Sequence, residues 1–133
     1  MKPGPAAPFL PYALLALSLL GCTYYVSRGS DLYSQGRYIE AAQVLEETES
    51  RLAEANPDEH AEYGLYRGAT LLRLGDLDGA LHWLSYAQSW ERRYPGSLRA
   101  DERELLEERF IALNGDLERR AATEGQVLQS RAH

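Results

Sequence analysis

The strongest constraint on the fold is an internal repeat with a period of 39 residues. Residues 35–42 read QGRYIEAA and residues 74–81 read LGDLDGAL. Gly36 and Gly75 are 39 positions apart (75 − 36), and each is followed by an apolar residue two positions later and a small residue five positions later. A weaker third copy starts at Asn114–Gly115. Units of this length bury a core by stacking on their neighbours, so the sequence predicts a stack of similar pieces.

Apolar residues recur at helical spacing throughout these units, and no alternation long enough for a strand is present. Glycine and proline residues interrupt the pattern at Gly36, Pro57, Gly75, Pro95 and Gly115. The sequence therefore predicts helices over 24–35, 38–55, 59–74, 77–93 and 98–114, with a weaker sixth over 116–129.

The repeated string resembles the tetratricopeptide repeat (TPR), whose second helix opens with G-x-[Y/L]-x-x-A. The matching residues are Gly36, Tyr38 and Ala41 in the first copy and Gly75, Leu77 and Ala80 in the second, with Gly29 and Gly68 at the small position of the first helix. The resemblance implies an all-α fold of antiparallel hairpins stacked as a short right-handed solenoid. It places two repeats at 22–58 and 59–94, and a capping helix with a polar C-terminal tail at 95–133. The alternative is a generic helical bundle in which the shared strings are a coincidence.

The N-terminal segment has the form of a secretory signal. Lys2 precedes an apolar run of 13 residues, Phe9 to Gly21, which is short of the roughly 20 that span a bilayer. The run ends in Leu19-Leu20-Gly21-Cys22, which resembles the lipobox of bacterial lipoproteins. The resemblance implies that residues 1–21 are a signal peptide and that acyl chains on Cys22 anchor the chain in a membrane. Thr23 then favours the outer membrane, facing the periplasm. An ordinary signal peptide with a chance cysteine, or a short buried helix, is the alternative.

The overall charge excludes two classes of partner. The formal net charge is −6, and removal of Lys2 with the signal would make it −7. An acidic chain without a basic block is a poor ligand for nucleic acid or for anionic lipid surfaces.

A single cysteine excludes an internal disulfide.

No set of residues in the sequence suggests catalysis. The histidines His60, His82 and His133 lack metal-ligand spacing, and no nucleophile elbow or phosphate-binding loop occurs. We therefore expect a non-enzyme without a cofactor or a metal ion.

The TPR resemblance implies a groove lined by the first helix of each repeat. The residues that it assigns to this groove include Tyr33, Leu65, Ala69, Leu72, Arg73, Leu105 and Arg109, together with Glu62 and Glu102. An apolar strip flanked by two arginines suits an extended or helical peptide with an acidic or free-carboxylate end.

One aromatic stripe runs along the fourth helix, formed by Trp83, Tyr86, Trp90 and Tyr94 at spacings of three, four and four. A core position is favoured for the tryptophans, and Tyr86 is the better candidate for exposure.

Two functions are compatible with these features. The first is a membrane-anchored scaffold or assembly factor that binds another envelope protein or a peptide segment of one. The second is a small-ligand or cell-wall binding module accessory to an envelope enzyme.

Overall fold

Helices form all the regular structure of residues 21–133, the part of the chain that the computed structural model describes. Their bounds are α1 Gly21–Ser34, α2 Tyr38–Thr48, α3 Pro57–Arg73, α4 Leu77–Arg93 and α5 Ala100–Arg131, and a 3-10 helix, Glu49–Glu54, follows α2. No strand occurs within these residues. The prediction of an all-α fold is confirmed.

The two helical hairpins, α1–α2 and α3–α4, turn in the same way. Gly36 and Gly75 have positive φ angles of 76° and 84°, a conformation that residues with a Cβ rarely adopt. In both turns the amide after the glycine donates to the carbonyl oxygen five residues earlier, at 2.9 and 3.0 Å. This hydrogen bond is characteristic of a helix that ends at a glycine, so the predicted glycine turns are present in both copies.

The helices of each hairpin also approach each other at matching glycines. A Cβ on Gly29 would lie 2.5 Å from a methyl carbon of Leu45, and a Cβ on Gly68 would lie 2.7 Å from Cγ of Leu84. The glycines are 39 residues apart (68 − 29), as are the leucines (84 − 45). The 39-residue repeat of the sequence is therefore a repeat of contacts.

Side-chain caps start the helices of the second hairpin. Asn56 precedes α3 and accepts a hydrogen bond from the amide of Glu59 at 2.9 Å, while Pro57 occupies the first helical position. Asp76 precedes α4 and accepts from the amide of Gly79 at 2.9 Å. These caps hold the interhelical connections at the residues where the sequence pattern breaks.

Helix α3 is central, because it packs against α4, α2, α1 and α5. Tyr63 shows the effect of this position, since its ring is fully buried and its hydroxyl donates to the carbonyl of Leu45 in α2 at 2.5 Å. The apolar core extends from Val26 to Leu113. A chain that starts at Cys22 therefore keeps every side chain of this core.

Helix α5 continues through Asn114–Gly115, so the predicted break and the separate sixth helix are wrong. Leu106 and Leu113 are buried on the same stripe of α5, and Arg120 reaches Asp78 at the start of α4 at 3.2 Å. The residues after Arg120 are exposed. The stripe that packs on α4 offsets the low helix propensity of Gly115, which costs about 1 kcal/mol.

Candidate functional site

The predicted lipid attachment point lies at the beginning of the described residues. The backbone of Cys22 belongs to α1 as its second residue, whereas the predicted signal peptide lies outside the described residues except for Gly21. Because α1 starts this early, any group attached to Cys22 is held next to the helical domain without an intervening linker.

Three residues of the predicted groove belong to the core instead. Leu65 and Ala69 are fully buried, and Leu72 is 8% exposed. They lie on α3, which has helices packed around most of its circumference. The predicted apolar strip is therefore covered by the chain itself, and these three side chains are not available to a partner.

Four further residues of the predicted groove keep some exposed surface, whereas Glu102 is buried. Tyr33 and Leu105 are partly exposed, Arg73 is exposed, and the side chain of Arg109 is 16% exposed. The guanidinium of Arg73 lies 5.7 Å above the ring of Tyr38, which in turn contacts Tyr33 at a centroid distance of 5.4 Å. Tyr38 thus contacts both Tyr33 and Arg73.

Arg73 and Arg109 lie at the same level of neighbouring helices. Tyr66 of α3 and Glu102 of α5, 36 residues apart, are linked by a hydrogen bond of 3.4 Å. Arg73 and Arg109 are also 36 residues apart (109 − 73), and each is seven residues further along its helix. Since the two helices run in the same direction, this register aligns the two arginines.

Arg109 has weak internal partners. Its nearest carboxylate oxygen is that of Glu108 at 3.6 Å, and its Nε is buried without a hydrogen bond. A guanidinium in this state can still donate two hydrogen bonds to a carboxylate in bidentate geometry.

A cluster of charged residues lies between α3 and the start of α5. The carboxylate of Glu102 is buried, receives the amide of Arg99 at 3.1 Å, and pairs with the guanidinium of the same residue at 2.9 Å. Arg99 also approaches Glu62 at 3.6 Å. Burial, and then the negative charge of Glu102, raise the pKa of Glu62 to about 7, although Arg99 acts in the opposite direction. Burial likewise raises the pKa of Tyr66 to about 12.

Comparison of the chain with known protein families, with curated proteins and with solved structures finds no match.

The aromatic stripe of α4 divides into a buried and a half-exposed part. Trp83 is 9% exposed and meets the ring of Tyr63 edge-on at 5.1 Å. Tyr86 and Trp90 are partly exposed, and Tyr94 is 41% exposed. The expected core position is confirmed for Trp83, but Trp90 is only half-buried.

Sequence reasoning missed the contact that His60 makes with this stripe. Its imidazole is parallel to the indole of Trp90 at 4.0 Å, and Tyr94 stacks on Trp90 at 5.6 Å. Nδ1 of His60 lies 2.5 Å from the hydroxyl of Tyr86. Only the pairing of α3 with α4 brings His60 to these residues, because 26 positions separate it from Tyr86.

Residues 21–133 contain neither a membrane-spanning helix nor a metal-binding cluster. No helix there is both long and apolar enough to cross a membrane. No group of three or more histidine, cysteine or acidic side chains there is arranged to hold a metal ion.

Proposed function

We propose that this chain is the precursor of a bacterial envelope lipoprotein whose helical domain is a short TPR-like interaction scaffold or assembly factor. Residues 1–21 are removed as a signal peptide, and Cys22 carries the acyl chains. The mature domain then faces the periplasm from the outer membrane and binds another envelope protein. This role involves no catalysis and no cofactor.

The observation that carries the proposal is the 39-residue correspondence between the two hairpins. Each has a positive-φ glycine at its turn and a second glycine against a leucine of the facing helix. The first helices of successive units also touch, since α1 contacts α3 and α3 contacts α5. Stacked hairpins of this kind act through the surfaces that they present, which favours binding over chemistry.

The binding surface that we propose consists of Tyr33, Arg73, Leu105 and Arg109. It is narrower than the groove expected from sequence, because the apolar strip of α3 is buried. The two arginines lie at one level, and the carboxylate partner that Arg109 has, Glu108, is 3.6 Å away. A peptide segment with an acidic side chain or a free C-terminal carboxylate fits this surface.

Lipidation is tested by expressing the full chain in a bacterial host and analysing the membrane fraction by mass spectrometry. We expect a chain that starts at Cys22 and carries acyl mass on that residue, and we expect Cys22→Ala to prevent both cleavage and acylation. An intact Met1 start, or an unmodified Cys22 in a soluble product, would contradict the proposal.

The binding surface is tested by quantitative co-purification from solubilised membranes. Arg73→Glu and Arg109→Gln should each lower the yield of a stoichiometric partner by about tenfold, since a charge-assisted hydrogen bond contributes about 1.5–3 kcal/mol. Arg119→Glu is the matched control, because the Arg119 side chain is 73% exposed and lies ten residues after Arg109 in α5. Equal yields from all variants would rule out this surface.

A further inference from the structure

Aromatic residues gather at one end of the helical domain, which we call the aromatic end. It contains Tyr24 and Tyr25 at the start of α1, and Trp90 and Tyr94 at the end of α4. Tyr24 is 61% exposed and Tyr94 is 41% exposed, so both present much of their rings to the surroundings.

Side-chain contacts place these residues at the same end. The guanidinium of Arg51, in the 3-10 helix, lies 4.7 Å above the ring of Tyr25 in α1. Only two residues separate the 3-10 helix from α3. His60, in the first turn of α3, stacks on Trp90. The start of α1 is therefore on the same side of the domain as the end of α4.

Cys22 belongs to this end, because it is two residues before Tyr24 in α1. The opposite end, with the turns at Gly36 and Gly75, lies about 25 Å away, the length of a 17-residue helix at 1.5 Å per residue. A lipid attached to Cys22 would hold the aromatic end at the membrane and keep the opposite end away from it.

The residue types at this end suit the boundary between lipid and water. Tyrosine and tryptophan combine an apolar ring with a polar group, and they are enriched where membrane proteins cross the headgroup layer. The exposed aliphatic side chains Ile39 and Leu74, in contrast, lie at the opposite end.

The charges at the aromatic end define the kind of lipid. The exposed arginines there include Arg51, Arg92, Arg93 and Arg99, and the exposed carboxylates include Glu54, Asp58 and Asp101. Arg93 also lies over the ring of Tyr94 at 5.5 Å. Because both signs are present, this surface has no strong preference for anionic lipid and suits zwitterionic headgroups.

We infer that the aromatic end is a membrane-contacting surface, which places Tyr24, Trp90 and Tyr94 among zwitterionic headgroups. This inference rests on the proposed function, because the acyl chains on Cys22 supply the attachment. It adds the orientation of the domain, with α1, α3 and α5 beginning at the bilayer.

The single cysteine allows a test that does not depend on natural acylation. The chain from Cys22 onward, checked for helix content by circular dichroism, is coupled through Cys22 to a maleimide lipid. The vesicles contain phosphatidylcholine and phosphatidylethanolamine with brominated acyl chains, which quench nearby indoles. In Trp90→Phe the buried Trp83 is the only remaining tryptophan. The fluorescence of this variant is subtracted from that of the unaltered protein to give the contribution of Trp90.

We expect the fluorescence of Trp90 to fall by about half relative to vesicles without bromine, as side chains at headgroup depth lie within reach of the upper acyl chain. Tyr24→Ala with Tyr94→Ala should remove most of this quenching. The matched control is Ile39→Ala with Leu74→Ala at the opposite end, which should preserve it. Added phosphatidylglycerol should not increase the quenching.

Absence of Trp90 quenching in the coupled protein would overturn the inference and leave lipidation unaffected. An equal loss of quenching in the control pair would also overturn it, because the domain would then lie on its side. If mass spectrometry finds no acyl group on Cys22, quenching of the coupled protein would still identify the membrane-contacting surface.

Discussion

The imidazole of His60 lies flat on the indole of Trp90, with 4.0 Å between ring centroids and 3° between ring planes. His60 belongs to α3 and Trp90 to α4, so the stack joins the two helices of the second hairpin. Burial lowers the pKa of His60 below its ordinary value of 6.5, although the nearby charge of Glu59 acts in the opposite direction. The folded hairpin therefore favours the neutral imidazole.

The stack predicts that acid destabilises the protein through His60. A histidine whose pKa is lowered by folding contributes stability above pH 6.5, and this contribution is lost as the pH falls through the lowered value. His60→Gln should show a smaller decrease in the free energy of unfolding between pH 7 and pH 5 than the unaltered protein, measured by urea titration. His82→Gln, at an exposed position, is the control. Identical pH dependence in the unaltered and His60→Gln proteins would exclude this role.

Glu62 should have the opposite pH dependence. Its pKa rises from 4.5 to about 7 on folding, so its contribution is present below pH 4.5 and is lost as the pH rises through 7. Glu62→Gln should therefore raise the free energy of unfolding at pH 8 by about 1 kcal/mol and have little effect at pH 4. Glu107→Gln, which is exposed, is the matched control. A stabilisation that does not vary with pH would contradict the assignment.

The close approach of α3 and α4 at Gly68 predicts intolerance of any side chain there. An added Cβ would lie 2.8 Å from the backbone nitrogen of Leu84, which cannot move independently of its helix. Gly68→Ala should lower the free energy of unfolding by about 1–3 kcal/mol, the usual range for overpacking. Thermal and urea unfolding followed by circular dichroism would measure the change. A stability equal to that of the unaltered protein would contradict the packing.

Gly115 provides the complementary test, because it lies inside α5 and only the side chain of Arg119 approaches the position. Gly115→Ala should raise the free energy of unfolding by about 0.5–1 kcal/mol through helix propensity. If α5 were broken at this point with a left-handed glycine, the same substitution would be destabilising. The sign of the change in urea titrations therefore distinguishes one helix from two.

The end of α5 is predicted to be dispensable for stability. Leu113 is fully buried, whereas the residues after Arg120 are exposed. A chain that ends at Arg120 should melt within about 2 °C of the full chain, because it loses little buried surface. A chain that ends at Phe110 loses Leu113 and should lose cooperative melting. Differential scanning calorimetry of both truncations would check this contrast.

Local sequence was sufficient to predict the hairpins. Glycine at a helix end and a capping residue before the next helix act over four or five residues, and Gly36, Asn56, Gly75 and Asp76 take these roles in the structure. The break at Gly115 was predicted by the same reasoning and was wrong. The helix-propensity cost of a glycine at this position is smaller than the stabilisation from packing Leu113 against the hairpin. This packing involves residues that are remote in sequence.

The surface was harder to predict than the hairpins. The resemblance assigned Leu65, Ala69 and Leu72 to a groove, but with two hairpins and a long last helix these residues form the core. The stack of His60 on Trp90 depends on how α3 aligns with α4, which no local spacing encodes. Exposure and cross-helix contacts therefore required the assembled structure.

Helix α5 has 32 residues and extends about 48 Å at 1.5 Å per residue. It begins at the aromatic end, where the backbone of Cys22 also lies, and ends beyond the opposite end of the hairpins, so Cys22 and Arg131 are far apart along the domain. A fluorophore or affinity tag fused after His133 would therefore be held roughly 5 nm from Cys22, because α5 acts as a semi-rigid spacer. Energy transfer from such a fluorophore to labelled lipid would directly report whether the domain stands upright.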